Sequence, residues 1–210
     1  IVEMTYNWIG AAIVLLFTLQ VGRRHEAPVS VLHVMVLTGF LGSLSYHLYP
    51  VSGPQFAFPG MFPHALPELE QLRVGMTLTV PAARNGMPSL HFGWALALVL
   101  MAWHERQPLV RILYATFVAL TAIATLSTGH PSLVDLIVAF PFIVAGMAVC
   151  SRHLPWTGCR SKWVGRGVAM YLLWLFALWF AIPTMVDWPL LLWLLSGATV
   201  AVSWFGMREL

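Results

Sequence analysis

Two histidines and an aspartate stand where polar sequence runs into apolar sequence, and together they could catalyse group transfer. Pro88-Ser89-Leu90-His91 follows a turn-forming Asn-Gly pair and opens a long apolar run. Pro and Ser favour the first turn of a helix, so we expect His91 in an opening turn. The free backbone N–H groups, the helix dipole and the Ser89 hydroxyl would suit a phosphate group, and His91 could exchange a proton near neutral pH.

A second polar cluster precedes another apolar run, in the order Ser127-Thr128-Gly129-His130-Pro131-Ser132-Leu133-Val134-Asp135. A helical hairpin joins the two runs, so His91 and His130 should lie at the same membrane depth. A single interfacial His is more often a hydrogen-bonded surface group than a catalyst. Three ionisable residues at one rim, His91, His130 and Asp135, are costly in a membrane protein and indicate a functional site.

The composition shows which elements must carry these residues. The 210 residues are 59% hydrophobic and only 9% charged. This excludes an ordinary soluble globule and predicts an all-α, polytopic integral membrane helical bundle, with one transmembrane domain over 1–210. We expect six or seven helices, in the apolar runs 6–22, 29–48, 90–103, 109–127, 133–150, 166–183 and 188–206. The 90–103 run is short, and the segment from Pro183 to Pro189 divides the last two runs only weakly.

The basic residues predict the orientation of the bundle. In a seven-helix trace Arg73 and Arg84 fall on one side. Nine basic residues fall on the other: Arg23, Arg24, Arg106, Arg111, Arg152, Arg160, Lys162, Arg166 and Arg208. The positive-inside rule makes that side cytoplasmic, so we expect a multi-pass protein of the plasma (inner) membrane with an extracytoplasmic active site. The net charge of +3 therefore gives no reason to expect nucleic-acid binding.

The cysteines and the start of the chain bear on compartment and processing. Cys150 and Cys159 fall on the cytoplasmic side, where thiols stay reduced, so no disulfide framework is expected. The first apolar run needs no cleavage and should serve for packing and anchorage. The chain starts at Ile1 rather than Met, which suggests that it begins inside a longer gene product.

The longest connection, residues 49–88, should cover the site from the extracytoplasmic side. Its seven prolines exclude a continuous helix, although Glu68 to Val80 could form a short interfacial helix. A loop of this length in a compact membrane protein is usually functional. Arg84 and Arg73 are the basic residues on this side that could bind a phosphate.

These motifs resemble those of the type 2 phosphatidic acid phosphatase superfamily, especially its branch akin to inositol phosphorylceramide synthases. The most specific stretch is Met87-Pro88-Ser89-Leu90-His91-Phe92-Gly93-Trp94-Ala95. Thr128-Gly129-His130 with Asp135 resembles a later motif, and Tyr49-Pro50-x-x-x-Pro54 resembles the first motif of that branch. The resemblance covers about 49–146 and implies a phosphatase-like core bundle.

The resemblance also implies a reaction: two-step phosphoryl transfer from a lipid phosphate or polyprenyl phosphate at the outer leaflet, without metal or another cofactor. His91 would protonate the leaving oxygen, His130 would attack phosphorus to form a phosphohistidine, and Asp135 would orient the nucleophile. A phosphatase and a phosphotransferase would share these residues. Four further residues would bind the substrate: Ser89, Arg84, Tyr49 and Gln55. For Tyr49 a role as an interfacial anchor is the alternative.

The second motif departs from the family pattern. The family's nucleophile stands four residues before the Asp, a position that Pro131 occupies here, whereas His130 stands five residues before Asp135. Ser132 replaces the usual aromatic residue. A shift of one residue rotates a side chain by about 100° on a helix, but a turn with a Pro ahead of the helix could compensate.

A catalytically silent lipid-binding or scaffold member of the same fold is a second hypothesis, because cationic phosphate ligands are few. Gln55 aligns with the usual Arg of the first motif. The Arg of the third motif has no counterpart between Ala122 and Thr128.

A di-haem b-type membrane cytochrome is a third hypothesis. His33 and His47 are fourteen residues apart, and His91 and His104 are thirteen apart. Either spacing is about 20 Å along a helix, so two facing helices could ligate one haem near each membrane face. This hypothesis leaves Pro88-Ser89 and Asp135 unexplained.

Overall fold

The computed structural model describes residues 4–22, 27–49, 53–57, 60–62, 87–129 and 132–209. Within these ranges the chain forms α-helices and no β-strand, and their bounds are α1 Met4–Gly22, α2 Val31–Leu48, α3 Pro54–Ala57, α4 Leu90–Ala102, α5 Pro108–Thr128, α6 Leu133–Cys150, α7 Ser161–Phe180, α8 Ile182–Asp187 and α9 Pro189–Glu209. An irregular turn, Trp156–Arg160, precedes α7. The predicted all-α class is confirmed.

Six of the helices are long and apolar enough to cross a membrane, namely α1, α2, α5, α6, α7 and α9, and α4 is a shorter apolar helix. The predicted polytopic bundle with six or seven spans is therefore confirmed. The observed bounds stay within a few residues of the apolar runs. The largest shift is at α7, which begins at Ser161 rather than 166, and the short α8 fills the turn that leads to α9.

The centre of the bundle is α6. In this helix 67% of the residues are buried, against 22–33% in the other five long spans. It packs against α2, α4, α7 and α9, so lipid can reach little of its surface. An almost uninterrupted apolar sequence is what a helix surrounded by other helices requires.

The short α4 lies beside α6 and is also central. Eight of its thirteen residues are buried. At 1.5 Å per residue it is about 20 Å long, less than the roughly 30 Å of a bilayer's hydrocarbon core. Neighbouring helices enclose α4, so it does not need to match the bilayer thickness. A helix of this length cannot reach both faces of the hydrocarbon core, so one of its ends lies inside the bilayer.

Small residues allow the helices to pack closely. A Cβ placed on Gly146 of α6 would lie 2.6 Å from the Thr38 methyl of α2, and one placed on Gly167 of α7 would lie 2.6 Å from the Pro141 carbonyl oxygen. The indole of Trp94 donates to the Thr38 hydroxyl at 3.1 Å, joining α4 to α2. Close approach of small residues replaces the hydrophobic effect as the source of helix association in lipid.

The two ends of the bundle differ in charge. One end, which we call the basic end, holds every Lys and Arg that the structure describes: Arg106, Arg111, Arg152, Arg160, Lys162, Arg166 and Arg208. Gln20 joins α1 to α2 there through bonds with the Val29 carbonyl and the Val31 amide, both at 3.0 Å. The opposite end, the site end, carries the starts of α4 and α6. This separation agrees with the predicted orientation, which stays a prediction.

Several sequence predictions fall outside the described residues. These are the interfacial helix from Glu68 to Val80, the phosphate-binding roles of Arg73 and Arg84, and the position of His130.

Two glycines of α7 give a matched test of this packing. We expect Gly167→Ala to destabilise the protein by roughly 1–3 kcal/mol, because its methyl group would press on backbone atoms of α6 that cannot move aside. Gly165 has open space around its Cβ position, so Gly165→Ala should be neutral or slightly stabilising through helix propensity. Thermal unfolding in detergent measures both. Equal midpoints for the two variants would contradict the close α6–α7 contact.

Candidate active site

The starts of α4 and α6 meet at the site end through a backbone hydrogen bond. The Ser89 amide donates to the Asp135 carbonyl at 3.1 Å. Ser89 is the N-cap residue of α4, and its carbonyl accepts from the Gly93 amide at 2.9 Å. Its hydroxyl makes no capping bond, although the residue is buried. Met87 is fully buried against Val138 and packs this segment onto α6.

The Asp135 carboxylate is fixed by the residue that caps its own helix. Its Oδ2 accepts from the Ser132 amide at 2.5 Å and from the Ser132 hydroxyl at 2.9 Å. The Ser132 hydroxyl in turn accepts from the Asp135 amide, which completes a capping box. Asp135 is only 4% exposed, so these bonds hold a buried carboxylate in one orientation. Its Oδ1 takes no part in them.

Ser132 has a role beyond the replacement of an aromatic residue. It is the N-cap of α6 and a direct partner of Asp135. The signal was present, since Ser-x-x-Asp ahead of an apolar run is a capping-box pattern. The Ser at position 132, where the family has an aromatic residue, therefore caps α6.

His91 is the second residue of α4, in the opening turn that the sequence predicts. Its ring lies against the ring of Tyr6 with centroids 4.4 Å apart, and 6.5 Å from the ring of Trp94. The Tyr6 hydroxyl donates to the Thr125 hydroxyl at 2.9 Å, which connects α1 to the last turn of α5. The first helix therefore reaches the site as well as anchoring the chain. Nothing in the sequence indicated this contact, because a Tyr near the end of a membrane helix is usually interfacial.

Two tyrosines at the end of α2 border the same region. The Tyr46 hydroxyl donates to the Pro88 carbonyl at 3.2 Å, immediately before Ser89. The ring of Tyr49 packs edge-on against Trp179, with centroids 5.7 Å apart. Burial raises the pKa of the Tyr49 phenol, and the negative charge of Asp135 raises it further. Tyr49 therefore stays protonated and can donate a hydrogen bond.

Gln55 lies beside the connection that contains His130. The backbone amide of Gln55 donates to the Gly129 carbonyl at 3.1 Å, and the residue is 4% exposed. Gly129 ends α5 with a positive φ of 67°, and the ring of Phe62 occupies the place of its missing Cβ at 2.5 Å. A side chain at position 129 would meet both backbone strain and a steric clash. The described part of the 49–88 connection thus packs against the residue that precedes His130.

The structure therefore brings Tyr49, Gln55, Ser89, His91 and Asp135 to one end of the bundle. Arg84 and His130 lie outside the described residues. Among the residues that the structure describes, no Lys or Arg stands at this end. The positive potential that it offers an anion comes from the N-termini of two adjacent helices. Such a rim can bind a phosphate group, with a titratable imidazole beside it.

Comparison with known families gives one match. The sequence profile described as the PAP2 superfamily matches residues 1–149. The chain belongs to the PAP2 superfamily. Members are typically phosphatases, so this membership confirms the coarser part of the sequence resemblance and indicates phosphatase-type chemistry on lipid phosphates. No curated protein and no solved structure matches the chain. The branch akin to inositol phosphorylceramide synthases stays a prediction.

The PAP2 match ends just before the end of α6, so α7 and α9 lie outside it. Both pack directly on the matched part. Trp174 of α7 is fully buried in the cluster that contains Met87, and its indole donates to the Thr199 hydroxyl of α9 at 2.9 Å. These helices cover the side of α6 that carries Ile137 and Val138.

The Ser132 cap can be tested by its contribution to stability. Ser132→Ala removes the bond from the Ser132 hydroxyl to the Asp135 carboxylate and the capping bond that this hydroxyl accepts from the Asp135 amide, so we expect a loss of about 0.5–2 kcal/mol. The control is Ser127→Ala, because Ser127 is exposed and bonds only within its own helix. Unfolding midpoints in detergent measure the difference. If both variants unfold at the same midpoint, the capping box does not stabilise α6.

Proposed function

We propose that this PAP2-superfamily protein removes a phosphoryl group from a membrane lipid phosphate or polyprenyl phosphate at its site end, through a phosphohistidine. The observation that carries the proposal is the bond between the Ser89 amide and the Asp135 carbonyl. This bond joins the Pro-Ser-x-His segment to the motif that contains Asp135, where the N-termini of α4 and α6 meet. A phosphate oxygen at that junction would meet the first turns of the two helices, the Ser89 hydroxyl and the His91 imidazole.

In the first step, the His130 imidazole attacks phosphorus, and the bond from phosphorus to the lipid oxygen breaks. The leaving oxygen takes a proton from the His91 imidazolium, which becomes neutral. In the second step, neutral His91 takes a proton from water as the water oxygen attacks the phosphohistidine. The bond from phosphorus to nitrogen breaks, which releases inorganic phosphate and restores both histidines. An alcohol in place of water would give a phosphotransferase by the same route.

The positions of the described residues suit these roles. Asp135 is held by Ser132 through Oδ2, while Oδ1 is not used in those bonds and could accept from the His130 ring. His130 belongs to the two-residue connection between Gly129 and Ser132, the N-cap of α6. Because His130 precedes the N-cap of α6, the helical step of 100° per residue does not apply to its offset from Asp135. Arg84 would supply the cationic ligand that a transferring phosphoryl group needs.

The short α4 favours a recessed site. If its C-terminal end lies at the membrane face on the basic end, its first turn lies below the opposite face by roughly 10 Å, the shortfall of a 13-residue helix. A lipid headgroup would then reach His91 while its tails stay in the bilayer.

The di-haem hypothesis does not suit the interface between α2 and α4. A Cβ at Gly39 would lie 3.1 Å from the Trp94 ring, and one at Gly42 would lie 2.4 Å from the Leu90 side chain. Side chains of α4 thus fill the face where a porphyrin would have to enter. The scaffold hypothesis predicts no turnover on any substrate, so the assay below separates it from an enzyme.

The catalytic roles can be tested by phosphate release from phosphatidate and polyprenyl diphosphate, with purified protein in detergent and EDTA. We expect turnover in EDTA, because histidine rather than metal activates the phosphoryl group in this proposal. His91→Ala should lower kcat by about 10²- to 10⁴-fold, the usual contribution of a general acid. His130→Ala should abolish turnover and phosphohistidine formation, and Asp135→Asn should lower both.

The matched control is His104→Ala. His104 follows α4 at the basic end, is exposed, and should leave turnover unchanged. Full activity of His91→Ala would contradict its role as the acid. Activity that survives His130→Ala would exclude His130 as the nucleophile.

Tyr6 is expected to position His91 rather than to react. Tyr6→Phe keeps the ring against His91 and loses only the bond to Thr125, so kcat should fall by less than about tenfold, the effect of one hydrogen bond. Tyr6→Leu removes the ring contact and should lower kcat more than Tyr6→Phe, with KM little changed. Equal kcat values in the two variants would contradict positioning by the ring.

A further inference from the structure

A lipid-facing cavity of about 770 Å³ lies at the basic end, between α2 and the end of α6. Leu32, Val36 and Phe40 form its wall on α2, and they are 49%, 64% and 69% exposed. These three residues follow one another at four-residue intervals, so they form a continuous apolar strip about 12 Å long on one helix face. The strip points away from the protein core and toward the space that lipid tails occupy.

The end of this cavity nearest the helix termini is basic. Arg152 and Arg160 line it together with His33. The Arg160 guanidinium donates to the carbonyls of Ala148 and Val149 and lies 3.6 Å from the centroid of the Trp156 ring, so it is held in place. Within the described ranges neither arginine has a carboxylate at ion-pair distance. Among the described residues, these two positive charges at a membrane edge therefore have no carboxylate counter-ion.

Ser151 supplies an independent observation at the same place. It lines the cavity, is 3% exposed, and its hydroxyl has no hydrogen-bond partner in the part of the chain that the structure describes. The residue is fixed by the backbone bridge to Val29. A buried hydroxyl without a partner costs free energy, so its persistence beside two guanidinium groups indicates an acceptor that binds there.

We propose that this cavity binds one anionic glycerophospholipid of the leaflet at the basic end. Its phosphodiester would lie against Arg152 and Arg160 with an oxygen accepting from Ser151, and one acyl chain would follow the apolar strip of Leu32, Val36 and Phe40. Basic pockets between membrane helices suit such headgroups. The arginines pair with the lipid phosphate while the lipid stays in its leaflet. A zwitterionic lipid would bring a cationic group toward the arginines and bind less well.

This lipid is distinct from the substrate of the proposed reaction. The cavity lies at the start of α2, whereas Tyr46 near the other end of that helix contacts the active-site segment. Thirteen residues separate His33 from Tyr46, which is about 20 Å along the helix axis. The binding of an anionic phospholipid here is independent of whether the protein hydrolyses phosphate esters.

The test uses the purified full chain after delipidation in a neutral detergent. Native mass spectrometry and thermal unfolding would compare phosphatidylglycerol with phosphatidylcholine of the same acyl chains. We expect phosphatidylglycerol to bind more tightly and to raise the unfolding midpoint more. Arg152→Gln should weaken phosphatidylglycerol binding by about fivefold, the effect of losing one basic contact near a membrane surface. Ser151→Ala should also weaken phosphatidylglycerol binding, because the phosphodiester loses a hydrogen-bond donor.

The matched control is Arg208→Gln, since Arg208 also stands at the basic end but packs over Trp204 and does not line the cavity. It should keep the full preference for phosphatidylglycerol. Equal binding of the two lipids, or equal loss in Arg152→Gln and Arg208→Gln, would overturn the proposal. A stabilisation by inorganic phosphate as large as that by phosphatidylglycerol would overturn the assignment to a lipid.

Discussion

A single hydrogen bond from the Ser89 amide to the Asp135 carbonyl sets the arrangement of the site end. Each partner belongs to the start of a central helix, where backbone amides have no partner within the helix. Joining the two starts side by side brings the positive ends of two helix dipoles to one place. The ionisable residues His91 and Asp135 therefore stand where an anion is favoured, and the surrounding elements act to keep the two starts together.

Contacts from four other elements hold that junction. Tyr46 of α2 bonds to the Pro88 carbonyl, Gln55 of α3 bonds to the Gly129 carbonyl, and Tyr6 of α1 connects His91 to Thr125 of α5. Each contact satisfies a polar group that would otherwise be costly to bury at membrane depth. Polar residues that border the catalytic candidates are thus part of the packing that joins the helices at the site end.

The sequence predicted most of the helices because membrane spans have a simple physical requirement, a long run of apolar residues. It also placed His91 in an opening turn, since Pro and Ser ahead of an apolar run restrict where the helix starts. Tyr6 was not predicted, because its contact with His91 depends on how α1 packs. Ser132 was predictable from the Ser-x-x-Asp pattern but was compared only with the family motif. The position of Gln55 was not predictable, because the hydrophobic residues of the 49–88 connection show no helical or strand periodicity.

The helix α2 takes part in both ends of the protein. Its first turns carry the apolar strip of the cavity at the basic end, and its last turns carry the Tyr46 bond to the active-site segment. Between them, Thr38 and Gly42 pack tightly on α6 and α4, so the helix cannot slide or rotate without disturbing the central pair. A helix transmits such a constraint along its length because its backbone bonds resist bending. The same helix therefore contacts both the cavity at the basic end and the segment that ends at Ser89.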